Sequence, residues 1–321
     1  SLAEGNRIRI ERVEAKRGII YDRDNNPLVS NVANFLLYFM PADLPDKEEE
    51  LNATIEEVSR ILGKPAEEIK EILAPIKKGS LESYQPLFVA DNIEFEKAML
   101  LYLKQEKMRG VVLSNKTRRE YKLCGEGETP STTGLRPPYS SVGVNCASSL
   151  PHLLGYMGKI SKEELGKFGS EYLPIDYIGK AGVEYFAEAE LRGSNGRKQI
   201  EVDALGKEKK ILNQVEAQDG HNLVLTVDSR LQKKVEEAVN RNLGGLRAKK
   251  GAIVVMDPAN GEILAMASFP FYDNNSFSRG FKAEEFEKFI KNPERPLFNR
   301  AVSGEYPSGS TIKPVMAAAA L

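Results

Sequence analysis

Two short apolar runs and the turn between them, residues 251–267, limit the folds open to this chain more than any other stretch. Gly251-Ala252-Ile253-Val254-Val255-Met256 and Glu262-Ile263-Leu264-Ala265-Met266-Ala267 have strand length and strand composition, and Asp257-Pro258-Ala259-Asn260-Gly261 between them is built from turn formers. The pattern predicts a β-hairpin. The first run is apolar at odd and even positions alike, which predicts a strand from the middle of a sheet covered by helices. A cover lies just upstream. Residues 229–243 repeat apolar side chains at Leu231, Val235, Ala238-Val239 and Leu243, a helix-period stripe, with Asp228 at the cap position.

The 321 residues are enough for about two domains. Near the start, Ile19-Ile20-Tyr21 and Phe35-Leu36-Leu37-Tyr38-Phe39-Met40 predict strands around the turn Asp24-Asn25-Asn26-Pro27. From Asp46 to Ala74 the period becomes helical: Leu51, Ile55, Val58 and Ile61-Leu62 share a face, Gly63 ends the helix, and Pro65 opens a second through Ile69 and Ile72-Leu73. A third helix is predicted over 92–107, between short strands at 87–90 and 111–114, and its charges read as solvated faces. Further on, the sequence predicts a strand at 152–156 and a helix at 161–168 with a Ser161/Glu164 capping box. A helix is predicted over 177–191, then strands at 199–204 and 222–227. Residues 122–150, dense in Ser, Thr, Gly and Pro, fit neither period and predict a long irregular loop.

Charge and rare residues narrow the chemistry. Lys and Arg number 45 against 46 Asp and Glu, a formal net charge of −1, so no basic field recruits nucleic acid or anionic lipid. Two histidines (His152, His221) and two cysteines (Cys124, Cys146) leave little for a zinc site or a histidine-based triad. The cysteines form a disulfide only if the compartment is oxidising. The chain starts without an initiator Met or targeting segment, holds no apolar run of the roughly 18 residues that span a bilayer, and closes on the apolar stretch Pro314–Leu321. It reads as a piece of a longer protein.

Tyr306-Pro307-Ser308-Gly309-Ser310-Thr311-Ile312-Lys313-Pro314 enters that last apolar stretch. Ser310 and Lys313, three apart at a helix start, project from one face. A serine hydroxyl becomes a nucleophile when a neighbouring base takes its proton, and a lysine serves as that base when its surroundings lower its pKa. Helix-start N–H groups face developing negative charge, and Gly309 leaves room for a substrate carbonyl. Pro314 lacks an N–H for the Ser310 carbonyl, which fits a helix beginning near Ser310. The plainer alternative is a capped helix whose lysine reaches solvent.

With these residues in view, the block 251–314 resembles the start of the transpeptidase domain of class B penicillin-binding proteins. The matching segments are Gly251–Pro258, Gly261–Ser268, Asn299-Arg300-Ala301 and Tyr306–Pro314. Upstream, Arg17-Gly18-Ile19-Ile20-Tyr21-Asp22-Arg23 resembles the opening of the family's non-catalytic pedestal. So do His152–Tyr156, Ile178–Glu184, Leu191-Arg192-Gly193 with Gly196, and Leu225–Asp228 followed by Leu231-Gln232. The wording is nearest to the cell-elongation branch, with the division branch open. Nearly the whole chain is covered except 122–150, which reads as a lineage-specific loop or a local reading-frame error.

The resemblance implies an α+β protein. An elongated mixed pedestal over 1–215, of dimerisation type, is followed over 216–321 by the opening of a transpeptidase domain with helices on an antiparallel sheet. It also implies a D,D-transpeptidase in which Ser310 is the nucleophile and Lys313 the general base, acting on D-Ala-D-Ala stem peptides and trapped by β-lactams. No metal or organic cofactor is expected. Implied partners are peptidoglycan stem peptides, a polytopic glycan polymerase and elongation scaffold proteins, and no nucleic acid; a single anchor would hold the protein outside the bacterial cytoplasmic membrane. The family's later Ser-x-Asn and Lys-Thr-Gly motifs do not follow Ser310 within this sequence, so residues 1–321 alone are expected to be inactive. A scaffold that keeps the pedestal without catalysis, or a β-lactam sensor, are the competing readings; intact Ser310 and Lys313 disfavour the first and the pedestal motifs the second. Arg17, Asp22 and Arg23 read as ion-pair and turn residues, His152 as a packed or hydrogen-bonded residue, and Asp228 as a helix cap. The aromatic residues of 269–272 fit cleft lining and core packing equally.

Overall fold

A computed structural model describes residues 7–320 except 78, 106–107, 122–149, 169–171, 174–175, 203–207, 247–248 and 282. The long loop expected at 122–150, with Cys124 and Cys146, therefore lies almost wholly outside the described residues. The chain forms two compact units, residues 31–118 and the remainder.

Three strands come first: β1 (Arg7–Val13), β2 (Ile20–Tyr21) and the long β3 (Pro27–Phe39), whose first residues turn back on β2 through Ile20↔Val29. The chain then enters the smaller unit. There α1 (Glu48–Leu62), α2 (Ala66–Leu73), β4 (Leu87–Ile93), α3 (Phe95–Lys104) and β5 (Val111–Tyr121) follow in order. Both helices expected before residue 75 are present. Gly63 closes α1 by donating its N–H to Ser59 O at 2.8 Å, and Pro65 precedes α2. Ile55, Val58 and Ile61 of α1, Ile69 of α2 and Leu101 of α3 bury against Leu37 and Phe39 of β3 and Val89 of β4. Each such side chain contributes on the order of 1.5–3 kcal/mol.

The larger unit resumes after the undescribed stretch with α4 (Pro151–Leu154), β6 (Met157–Lys159), α5 (Lys162–Phe168), β7 (Tyr177–Gly179), α6 (Gly182–Phe186) and α7 (Glu188–Arg192). Next come β8 (Gly196–Val202), β9 (Glu208–Val215), β10 (Leu223–Val224) and α8 (Ser229–Leu246). The chain closes with β11 (Gly251–Met256), β12 (Ile263–Phe269), α9 (Asn274–Arg279), α10 (Ala283–Ile290), α11 (Arg300–Ser303) and α12 (Lys313–Ala320). β1, β8 and β9 form an antiparallel sheet, β10 runs parallel to β2, and β6 pairs with β7. Ile20, Val29, Tyr121, Leu154, Leu191 and Val227 share one core. The architecture is mixed α+β, as expected.

Local expectations fail in four places. His152–Tyr156 is not a strand: Pro151 opens a helical turn and Gly155, at φ +76°, ends it. A Cβ at Gly155 would stand 1.7 Å from the Ala181 carbonyl oxygen, so only glycine allows the two segments to meet. The single helix expected over 177–191 is instead β7 followed by two short helices, because Tyr177–Gly179 pairs with β6 and an extended Ala181 separates it from α6. The strand expected at 222–227 shrinks to two residues, since Leu225–Asp228 turns toward β12.

The fourth concerns the hairpin. β11 and β12 pair as expected, Val254 opposite Met266, but β11 is an edge among the described residues, with Val254 and Met256 exposed. β12 is the doubly covered strand, buried without a break from Ala265 to Phe269. Among the described residues its second edge is closed by side chains and turns rather than by a strand. Met266 receives a Gln232 Nε2–H bond on its carbonyl and donates its N–H to Gln232 Oε1, both at 2.9 Å, while Asp228 N–H donates to Leu264 O. Gln232 thus serves one residue of β12 as a neighbouring strand would.

Candidate active site

Asp228 caps α8, its carboxylate accepting from the N–H groups of Arg230 and Leu231 at 2.9 and 3.0 Å. Helix α8 lays Val235 and Val239 on Ala267, Phe269 and Phe271, which fixes β12. Beyond β12, Tyr272 packs against the edges of His152, Tyr156, Phe277 and Phe289. The aromatic residues near 269–272 are therefore packing residues.

The chain next makes a turn at 294–300 that Arg300 ties together. This side chain is buried, and its guanidinium donates to the carbonyls of Glu294, Arg295 and Phe298. Its backbone N–H donates to Ser268 Oγ of β12 at 2.9 Å. Asn299 caps α11 through the Ala301 N–H, and Tyr306 folds back over Gly304. Four residues later comes Ser310.

Gly309–Ile312 is one turn of 3₁₀-helix, and Lys313 begins α12 with its N–H bonded to Ser310 O. In a 3₁₀ turn the side chains at i and i+3 eclipse one another, so Ser310 and Lys313 project from one side. Both are exposed, and among the described residues no side-chain hydrogen bond joins them. The last helix begins where expected, but its apolar face is not buried: Val315 and Met316 are about two-thirds exposed, because no described element packs on it.

The other polar candidates are structural. Arg17 pairs with Glu184 and Glu188, each at 2.7 Å, and Arg119 donates to Glu184 Oε1 at 2.8 Å. Burial alone would lower the Arg17 pKa, but the two carboxylates outweigh it and raise it. Asp22 accepts from the N–H groups of Asp24 and Asn26, from Asn26 Nδ2 and from Ser229 Oγ. Burial pushes this carboxyl up, yet these bonds hold it below the usual carboxylate range. The Arg23 backbone N–H donates to Val227 O at 2.9 Å, and its guanidinium stands 3.9 Å from Glu262. His152 donates Nε2–H to Pro296 O at 2.7 Å, and burial, aided by Arg300, lowers its pKa to about 4. Glu184, Glu188, Arg119 and Gln232 were not singled out by the sequence, although Glu184 and Gln232 stand inside the recognised segments.

Sequence models of families agree with this layout. That of the penicillin-binding protein dimerisation domain matches residues 12–225, and that of the penicillin-binding protein transpeptidase domain matches 251–321. The chain belongs to the penicillin-binding proteins. It is 31% identical to the peptidoglycan D,D-transpeptidase MrdA of Haemophilus influenzae, over 99% of this chain and 44% of the relative. With MrdA of Escherichia coli K12 it shares 30% over 98% of this chain and 45% of the relative. The chain thus spans less than half the length of these curated relatives. A solved complex of penicillin-binding protein 2 and MreC from Helicobacter pylori matches with a TM-score of 0.71 and 27% identity, covering 96% of this chain and 51% of that one. No helix among the described residues is long and apolar enough to cross a membrane.

Proposed function

We propose that the protein is a peptidoglycan D,D-transpeptidase of cell-wall elongation. Ser310 Oγ attacks the carbonyl of the penultimate D-alanine of a stem peptide while Lys313 accepts its proton. Terminal D-alanine leaves, taking a proton as its amine forms, and an ester to Ser310 remains. An amine of a neighbouring stem peptide attacks that ester, the cross-link amide forms, and Ser310 regains its proton. What supports this reading is the position of Ser310 and Lys313, both exposed and joined by the Lys313 N–H to Ser310 O bond, inside the segment that matches the transpeptidase domain. A β-lactam would take the place of the stem peptide and stay on Ser310.

The test is acylation of the full-length protein by a fluorescent penicillin. Wild type should be labelled and Ser310→Ala should not; a labelled Ser310→Ala protein refutes the assignment. Residues 1–321 by themselves should stay unlabelled, since Ser310 and Lys313 stand in solvent there.

On this reading the bulk of the protein lies outside the cytoplasmic membrane, held by a single anchor, and works beside a glycan polymerase. An MreC-like scaffold protein suits helix α3. Phe95, Met99, Tyr102 and Leu103 are exposed at helical spacing on the side away from buried Leu101, and the solved relative is a complex with MreC. Phe95→Ser with Met99→Ser should abolish co-purification with such a scaffold while leaving penicillin labelling unchanged.

A further inference from the structure

The turn at 294–300 is held from two sides. From α4, His152 donates Nε2–H to Pro296 O at 2.7 Å; a carbonyl only accepts, so the proton sits on Nε2, and buried Nδ1 has no hydrogen-bond partner among the described residues. From β12, Ser268 Oγ takes the Arg300 N–H at 2.9 Å and donates to Phe298 O at 3.3 Å. The Arg300 guanidinium fills the turn with bonds to three of its carbonyls. The same turn leads straight into the serine segment. Arg300 begins α11, and a Cβ on Gly304 would stand 2.6 Å from the Arg300 carbonyl oxygen and 2.5 Å from the Tyr306 ring, so Tyr306 closes down on the Arg300 backbone. Ser310 is four residues further on.

We infer that His152 is a positioning residue: through Pro296 and the Arg300-filled turn it sets the backbone that presents Ser310, so that helix α4 of the dimerisation-domain segment governs the acylation rate. This rests on the reading of Ser310 as the nucleophile. His152 touches neither the serine nor the lysine. It fixes one wall of a turn whose other wall is β12, and a turn fixed on both sides delivers the following segment in one place rather than several. Asn274 and Asn275 tie the neighbouring elements in the same direction. Asn274 Nδ2 donates to the carbonyls of Pro151 and Gly155, and Asn275 exchanges two hydrogen bonds with the Tyr121 backbone at 2.9 and 3.0 Å. Helix α4 is therefore held firmly enough to act as a reference.

The experiment uses the full-length protein with two readouts: amide hydrogen exchange across residues 297–312, and the second-order rate of acylation by a labelled penicillin. His152→Phe keeps a ring beside Tyr272 and removes the donor to Pro296. It should raise exchange across 300–311 about tenfold and slow acylation by a similar factor. His152→Gln, whose amide can donate to the same carbonyl, should restore both to within about twofold. Combined with Arg300→Lys, His152→Phe should slow acylation no further than Arg300→Lys does by itself. Ser268→Ala, which frees the other wall, should give the same exchange pattern and serves if His152→Phe fails to fold. Unchanged exchange in these variants, failure of glutamine to restore it, or fully multiplicative effects in the double variant would overturn the proposal. If wild type takes no label while exchange still responds to His152, the nucleophile assignment falls and the coupling stands.

Discussion

The buried ion cluster around Glu184 and the exposed turn around Ser310 handle charge and polarity in opposite ways. Glu184 is fully buried and accepts from Arg17 and Arg119; Glu188 accepts from Arg17, from Tyr172 and from the Gly179 N–H. Every carboxylate oxygen of Glu184 and Glu188 has a partner. Ser310 and Lys313, by contrast, stand in solvent with no side-chain partner among the described residues. The first region spends its polar groups on holding the fold together. The second keeps its polar groups available, and their chemistry depends on what comes to surround them.

The largest effect that would break this contrast is at Glu184. Glu184→Ala leaves buried Arg119 without its carboxylate and Arg17 with Glu188 alone, and removal of one partner from a buried pair destabilises by about 3–5 kcal/mol. Urea denaturation followed by far-UV circular dichroism should show that loss. A loss below about 1 kcal/mol would mean that solvent or other groups already satisfy the arginines, and that the cluster does not anchor the fold.

The His152 site gives a somewhat smaller effect that depends on pH. Its folded pKa of about 4 lies below the ordinary value of 6.5, so the unfolded chain binds the proton more readily. The stability contributed by neutral His152 is complete above pH 6.5 and is lost progressively as pH falls toward 4, by about 3 kcal/mol. Arg300 on the opposing turn and the Tyr272 ring beside it both face this imidazole, and neither offers it a negative charge. Denaturation of wild type and His152→Phe between pH 4 and 7 should yield curves that converge at low pH. Parallel curves would place the titration elsewhere.

Much of this was legible in the sequence where the signal is local. The α1 stop at Gly63, the Asp228 cap and the 251–267 hairpin are each fixed by residues within a few positions of one another. The Ser161/Glu164 capping box is present as read, Glu164 N–H bonding Ser161 Oγ and Ser161 N–H bonding Glu164 Oε2. What was missed depends on partners far away in the chain. Arg17 and Glu184 are 167 residues apart, Gln232 and Met266 34 apart, and no periodicity announces either meeting. The strand misread at 152–156 has the same origin: Leu153-Leu154 is apolar enough for a strand, and a helical turn wins because Gly155 must accommodate Ala181. The Ser310-Lys313 spacing was legible, whereas the solvent around both residues was not, since burial belongs to elements packed on a segment rather than to the segment.

The smallest effect sharpens the contrast most. Ser310→Ala should change the stability of the protein by less than about 0.5 kcal/mol, as expected for an exposed side chain that makes no hydrogen bond. The same substitution should remove all penicillin labelling of the full-length protein. Glu184→Ala makes the reverse pair, a large loss of stability with labelling reduced only in proportion to the unfolded fraction. If Ser310→Ala were instead to cost 1 kcal/mol or more, its hydroxyl would hold a bond that orders the 309–312 turn. The serine would then belong with Glu184 among the residues that build the fold, and its availability for attack would have to be created by breaking that bond first.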